Sequence, residues 1–179
     1  SRALALRRFV FASSVAACDF PPPGGALTEA SPPDGDHIYA VTKRRGEEML
    51  AEFDDIPSCI VRFAALFSDW CEYPPLYFFL ETWLSRAWNA RVLGGKGLSA
   101  IPYLHVRDLA VFFHYVMAHL AELEQRQVLI ASPSSTDSHL DLFQVVNMHA
   151  RSRRPTPVHL PKALCHFGMW ARDLAGRVL

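Results

Sequence analysis

Tyr39 and Lys43 lie four residues apart in the stretch "HIYAVTKRRGEEML". A helix there places a phenol and an ammonium on one face, one turn apart. A free phenol has a pKa of about 10 and is a poor base at neutral pH. An ammonium beside it favours the phenolate, so that the phenol can exchange a proton with a substrate hydroxyl or carbonyl. Upstream, "FVFASS" ends in Ser13 and Ser14, whose hydroxyls can bond to and polarise the same oxygen. The spacing alone also fits an ordinary helix surface, since Tyr and Lys are both common there.

These residues need elements to hold them. "RRFVFASS" reads as a buried strand meeting a loop. Residues 16–37 hold five prolines and three glycines, and read as a long loop. A helix is expected over 38–54, with "KRRGEE" as its solvated face. "SCIVRFAALF" reads as a further strand. "PPLYFFLETWLSRAWNA" reads as a helix entered through its proline pair. "RVLGGKG" gives a short strand and a glycine turn, and "IPYLHV" another strand. "RDLAVFFHYVMAHLAELEQ" is a helix, expected to be buried, and "QVLIASP" a strand. "DSHLDLFQVVNMHARS" is a helix, "PTPVHLP" a strand or extended stretch, and "KALCHFGMWARDLAG" a last helix.

Strands alternating with helices imply an α/β fold of βαβ units on a mainly parallel sheet. In such sheets ligands bind beyond the carboxyl ends of the strands, where Ser13 and Ser14 fall. A weaker boundary lies near residue 66. Residues 1–66 read as the second half of an open sheet. Residues 67–179 read mainly as a small cap, with some elements returning to the sheet. The opening "SRALALRR" reads as the tail of a helix already under way, and the chain as a piece of a longer protein.

Composition narrows the function. Half of the 179 residues are apolar and a fifth charged, which suits one globular domain with a core. Zero formal net charge argues against a general electrostatic grip on nucleic acid or on anionic membrane. The apolar run at 109–121 is too short to span a bilayer. Cys18, Cys59, Cys71 and Cys165 have no metal-ligand spacing and sit mostly in apolar runs. They read as buried, reduced thiols of a cytoplasmic protein, with no metal site.

"FVFASSVAACDF", "YAVTK", "IVRFAALFSDW" and "IPYLHVRDLA" occur in an order and spacing that resembles the extended short-chain dehydrogenase/reductases, the NAD-dependent epimerase/dehydratase family. The resemblance covers nearly the whole chain. It implies the C-terminal part of a Rossmann-like parallel sheet with a small α/β substrate cap. It implies Tyr39 as acid/base, Lys43 as the group that tunes the phenol and holds the nicotinamide ribose, and Ser14 as the group that orients the substrate oxygen. NAD or NADP is the implied cofactor, with Tyr39, Lys43, Phe63 and Ala65 at its site. Ser13 and His105 are candidate substrate contacts, His105 reading more readily as a core histidine. A small-molecule substrate is implied, and a homodimer through the helix carrying Tyr39.

The departures from the family pattern also matter. No glycine fingerprint follows a first strand, where pyrophosphate would bind, and "LGGKGLS" reads as a turn. The family's first four strands have no counterpart, so these residues alone are expected to bind the cofactor poorly. Ala65 stands where sugar-nucleotide enzymes often carry Asn, and Ile101 where they often carry a clamping Arg. An aliphatic side chain cannot replace that clamp, which favours a less charged alcohol or carbonyl. His37 and the cluster "RSRRP" read as helix-end surface, and Asp108 as a helix-start residue. Two functions are expected to compete: an NAD(P)-dependent oxidoreductase or epimerase/dehydratase, and a non-catalytic nucleotide-binding or interaction module of the same fold.

Overall fold

The computed structural model describes residues 6–22 and 24–178. The helix tail expected at the start lies mostly outside these residues, and 6–8 are not helical. The elements in order are β1 (Phe9–Ser14), a single 3-10 turn (Val15–Ala17), α1 (Ile38–Ala51), β2 (Ser58–Phe63), β3 (Ala65–Phe67) and α2 (Pro74–Leu84). Then come β4 (Val92–Gly94), β5 (Tyr103–His105), α3 (Val106–Ala118), β6 (Arg126–Ala131), α4 (His139–Arg151), β7 (Val158–Leu160) and α5 (Lys162–Val178).

The chain forms two compact units, one of Ser1–Asp69 with Tyr103–Ser134, the other of Trp70–Pro102 with Ser135–Leu179. The first unit holds a parallel sheet of order β1-β2-β6 and the parallel pair β3-β5. The central strand β2 is largely buried on both faces, which suits its mostly apolar sequence. Cys59 and Val61 enter a core with Ala131, packed by Phe112 and Phe113 of α3. On the opposite side α1 lies so close to β1 that a Cβ at Gly46 would fall 2.3 Å from the Phe11 ring. Only glycine permits that approach.

"SCIVRFAALF" is two strands, not one. After Phe63 the Ala64 N–H bonds to Ala131 O at 2.9 Å. The chain then leaves the first sheet, and Ala65 pairs with Tyr103. Helix α3 is not fully buried: Val116 is enclosed, but Val111, Tyr115 and Met117 are exposed. Its sequence is apolar nearly all round, so no polar stripe marks the outer face. Two of the four thiols, Cys71 and Cys165, are only half-buried; all four are unbridged. Burial pushes the Cys18 and Cys59 thiols up, away from the reactive thiolate.

The second unit packs α2 against α4 and pairs β4 with β7 in parallel. Trp83, Leu93 and Phe143 form its core. "LGGKG" is a turn as expected, with Gly95 and Gly97 at positive φ. Ser138 and Asp141 form a reciprocal capping box on α4. The His139 Nε2 is buried without a partner, and burial holds this imidazole below its ordinary value of 6.5. The folded ring therefore binds its proton less readily than the unfolded one. Its contribution to stability is whole above about pH 6.5 and is lost as pH falls. A His139→Phe variant should lose less stability than the parent between about pH 7 and pH 5, measured by urea unfolding. Equal losses would remove His139 as the cause.

Candidate active site

The site lies in the first unit, at the carboxyl end of β1 and the start of α1. Tyr39 is 48 % exposed. The Lys43 Nζ lies 5.6 Å from the centre of its ring, close enough for a cation–π contact. Lys43 also donates to Ala12 O on β1 at 2.9 Å, which holds the ammonium in place. His37 caps α1, its Nδ1 accepting the Ala40 N–H at 3.2 Å, and its ring is parallel to that of Tyr39. This matches its expected place at the helix start. Ser14 is half-buried at the end of β1, and its Oγ accepts the Ala16 N–H at 3.1 Å. A hydroxyl accepting in this way keeps its own proton free to donate.

Ser13 is placed differently. It is 2 % exposed, and its Oγ donates to Glu47 Oε1 at 2.5 Å. It is held inside the fold, not offered to a substrate. Strand alternation sends neighbouring serines to opposite faces, and Ser13 takes the face covered by α1. Glu47 also corrects the expected solvated face of "KRRGEE", because it is buried. Its carboxylate accepts Arg62 Nε at 3.0 Å and Nη2 at 2.7 Å. Arg62, 3 % exposed, sends Nη1 to Ser31 O at 2.6 Å in the proline-rich loop. Burial works against the guanidinium charge, but the bonds and charge of Glu47 outweigh it and hold its pKa above the ordinary value. Ser13, Glu47, Arg62 and Ser31 thus join β1, α1, β2 and the loop.

That loop is tied down elsewhere too. Gly35 N donates to Ala17 O at 3.0 Å and Asp19 N to Asp34 Oδ1 at 2.8 Å. A Cβ at Gly35 would meet the Ala40 Cβ at 2.8 Å, so the loop presses directly on the first turn of α1.

Phe63 ends β2 with its ring edge-on to Phe113 in the core. Ala65 sits half-buried in β3. His105 caps α3 through Nδ1, which accepts the Arg107 N–H at 3.1 Å. The ring proton therefore belongs on Nε2, which faces Asp69 Oδ1 at 3.2 Å. Arg107 pairs with the other Asp69 oxygen. Asp108 lies in the first turn of α3, as expected. The described residues hold no cluster of metal ligands and no helix long and apolar enough to cross a membrane.

The structure thus brings to the carboxyl end of β1 an ammonium fixed on Ala12 O, a phenol whose ring lies beside it, and the Ser14 hydroxyl that ends the same strand. No described glycine forms a turn running directly from a strand into a helix, where main-chain amides would face phosphates.

A parallel sheet flanked by helices, with hydroxyl, phenol and ammonium at one strand end, defines a Rossmann-like α/β protein. Residues 1–131 match the NAD dependent epimerase/dehydratase family, and the chain belongs to that family. Among solved structures it is similar to a dTDP-glucose 4,6-dehydratase from Bacillus anthracis in complex with NAD, at 16 % identity and a TM-score of 0.66, covering 86 % of this chain and 49 % of that one. It is similar to a UDP-glucuronic acid 4-epimerase from Bacillus cereus in complex with NAD, at 17 % identity and 0.64, covering 89 % and 51 %. It is similar to RMD from Pseudomonas aeruginosa complexed with NADPH, at 14 % identity and 0.64, covering 87 % and 55 %. The chain thus spans about half the length of the structures it matches. No curated protein matches it by sequence.

Proposed function

We propose that the full-length protein is an NAD(P)-dependent oxidoreductase or epimerase/dehydratase acting at an alcohol or carbonyl carbon, with Tyr39 as acid/base. The observation that carries this reading is Lys43, anchored on Ala12 O with its ammonium beside the Tyr39 ring. A nicotinamide bound there would exchange hydride with the substrate carbon. Tyr39 moves the proton at the substrate oxygen, Ser14 donates a hydrogen bond to that oxygen, and Lys43 holds the ribose. Phe63 and Ala65, where β2 gives way to β3, are the further cofactor contacts of this reading. His105, engaged with Asp69 and its own helix, has no part in the proton transfer.

With Ala65 and Ile101 at the positions of the phosphate contacts, the substrate is a small alcohol or carbonyl compound of low charge. The protein works in the cytoplasm. It pairs with a second copy through α1, where Ile38 and Met49 are exposed.

A non-catalytic binding module is the competing reading. The Ser14, Tyr39 and Lys43 set weighs against it, since a pure binder needs no proton carrier. Fluorescence titration of the full-length protein with NADH and NADPH, followed by turnover on a panel of aldehydes and ketones, separates the two. Binding with turnover supports the enzyme. Binding with no turnover on any member supports a nucleotide-binding module, and no binding of either cofactor rejects the enzyme and leaves a module of interaction alone.

A further inference from the structure

The helix that carries Tyr39 begins with an imidazole. His37 is the N-cap of α1, and its Nδ1 accepts the Ala40 N–H at 3.2 Å. Ser, Thr, Asp and Asn ordinarily fill this position, and none of them titrates near neutral pH. An imidazole does, ordinarily at about pH 6.5. Only the neutral ring has a bare nitrogen that can accept. The imidazolium carries a proton on both nitrogens and cannot.

The donor that this cap serves cannot turn to water instead. Ala40 is 0 % exposed, and Gly35 of the proline-rich loop presses on it. No other acceptor reaches the Ala40 N–H among the described residues. A buried N–H left without an acceptor is costly, so protonation of His37 works against the first turn of α1 as it stands. Tyr39 belongs to that turn, directly before Ala40. It is half-exposed, and its ring is oriented by the parallel His37 ring and the Lys43 ammonium.

Helix α1 packs on β1 and the 3-10 turn, which carry no titratable side chain. The titratable groups of the adjoining loop are Cys18, Asp19, Glu29, Asp34 and Asp36. Asp34 accepts the Asp19 N–H, Glu29 the Ile130 N–H, and Cys18 faces Arg62. Asp36 adjoins His37 in the chain. None of these groups, nor Lys43, bonds to the imidazole among the described residues.

We propose that His37 is a positioning residue for Tyr39, holding it through the first turn of α1 while the imidazole is neutral and releasing it when the ring takes up a proton. This rests on the acid/base role proposed above for Tyr39.

The test follows turnover of the full-length protein in the carbonyl-reducing direction, with NADH or NADPH and the member of the aldehyde and ketone panel that it reduces fastest. There the protonated phenol is the active form, so titration of Tyr39 itself does not lower the rate in acid. At about pH 7.5, His37→Ala should lower kcat about threefold or more with KM within about twofold. His37→Asn, whose amide oxygen also caps, should keep at least about half of the parent kcat. From about pH 7.5 to about 5.5 the parent should lose kcat about fivefold or more, and His37→Asn less than about twofold. Amide exchange at Ala40, read against an unstructured amide at each pH, should lose protection over the same range in the parent and keep it in His37→Asn. Parent kcat in His37→Ala, or an acid loss in His37→Asn equal to the parent's, would overturn the proposal. Turnover beside unchanged Ala40 protection would mark a failure of His37 alone. No turnover by the parent at any pH, beside the expected exchange at Ala40, would mark a failure of the activity proposed above, and the positioning role falls with it.

Discussion

Tyr39→Phe in the full-length protein is expected to lower turnover by about 10²- to 10⁴-fold, the usual contribution of a positioned acid/base. The substitution removes one oxygen and little else. The phenyl ring keeps its face toward Lys43 and its alignment with His37, both of which involve the ring and not the hydroxyl. The Lys43 bond to Ala12 O does not involve Tyr39, so the ammonium should stay where it is. NADH affinity should accordingly remain within about twofold, because the variant leaves the charged partner of the ribose in place. Turnover should fall with little change in KM, the mark of an interaction made in the transition state. Turnover within threefold of the parent would remove the phenol from the mechanism.

The second large effect concerns stability. Arg62→Met leaves Glu47 buried with a negative charge and no cation, and the variant is expected to lose about 3–5 kcal/mol. Such a loss is comparable to the whole stability of a marginal domain. The Glu47→Leu, Arg62→Met double variant should recover much of it, since removing both charges also removes the penalty of burying them. The recovery should be incomplete, because the Ser13 hydroxyl and Ser31 O lose their partners. Chemical denaturation of the parent, both single variants and the double closes the cycle. An Arg62→Met loss below about 1 kcal/mol, the range of exposed pairs, would mean that water reaches the pair.

Much of the element order was legible because hydrophobic period and breakers agree along the chain. "VFASS" and "QVLIAS" announce strands, and the double prolines at 32–33 and 74–75 announce the approach to α1 and α2. What escaped were features set by partners distant in sequence. Whether "IVRFAALF" is one strand or two depends on Ala131, which takes the Ala64 N–H. Glu47 escaped because "KRRGEE" looks like solvent-facing charge. Yet Tyr39, Lys43 and Glu47 are successive steps of four along one helix face, and Arg62 stands alone in an apolar strand. Read together, those two facts point to a buried pair. Choosing between Ser13 and Ser14 needs the strand phase, which only the packing of α1 on β1 supplies.

Among the described residues every pairing between two named strands is parallel, and none is a hairpin. Phe9 must wait for Ser58, Ser58 for Arg126, and Val92 for Val158. On a ribosome, the central sheet cannot close until the chain has emerged past Ala131. Until then the edge of β2 that takes β6 remains unpaired, and loop closure must precede any contact that rewards it. Slow synthesis will not help such a chain to fold early. It lengthens the time for which the waiting edge of β2 is open to chaperones, or to strands of neighbouring nascent chains.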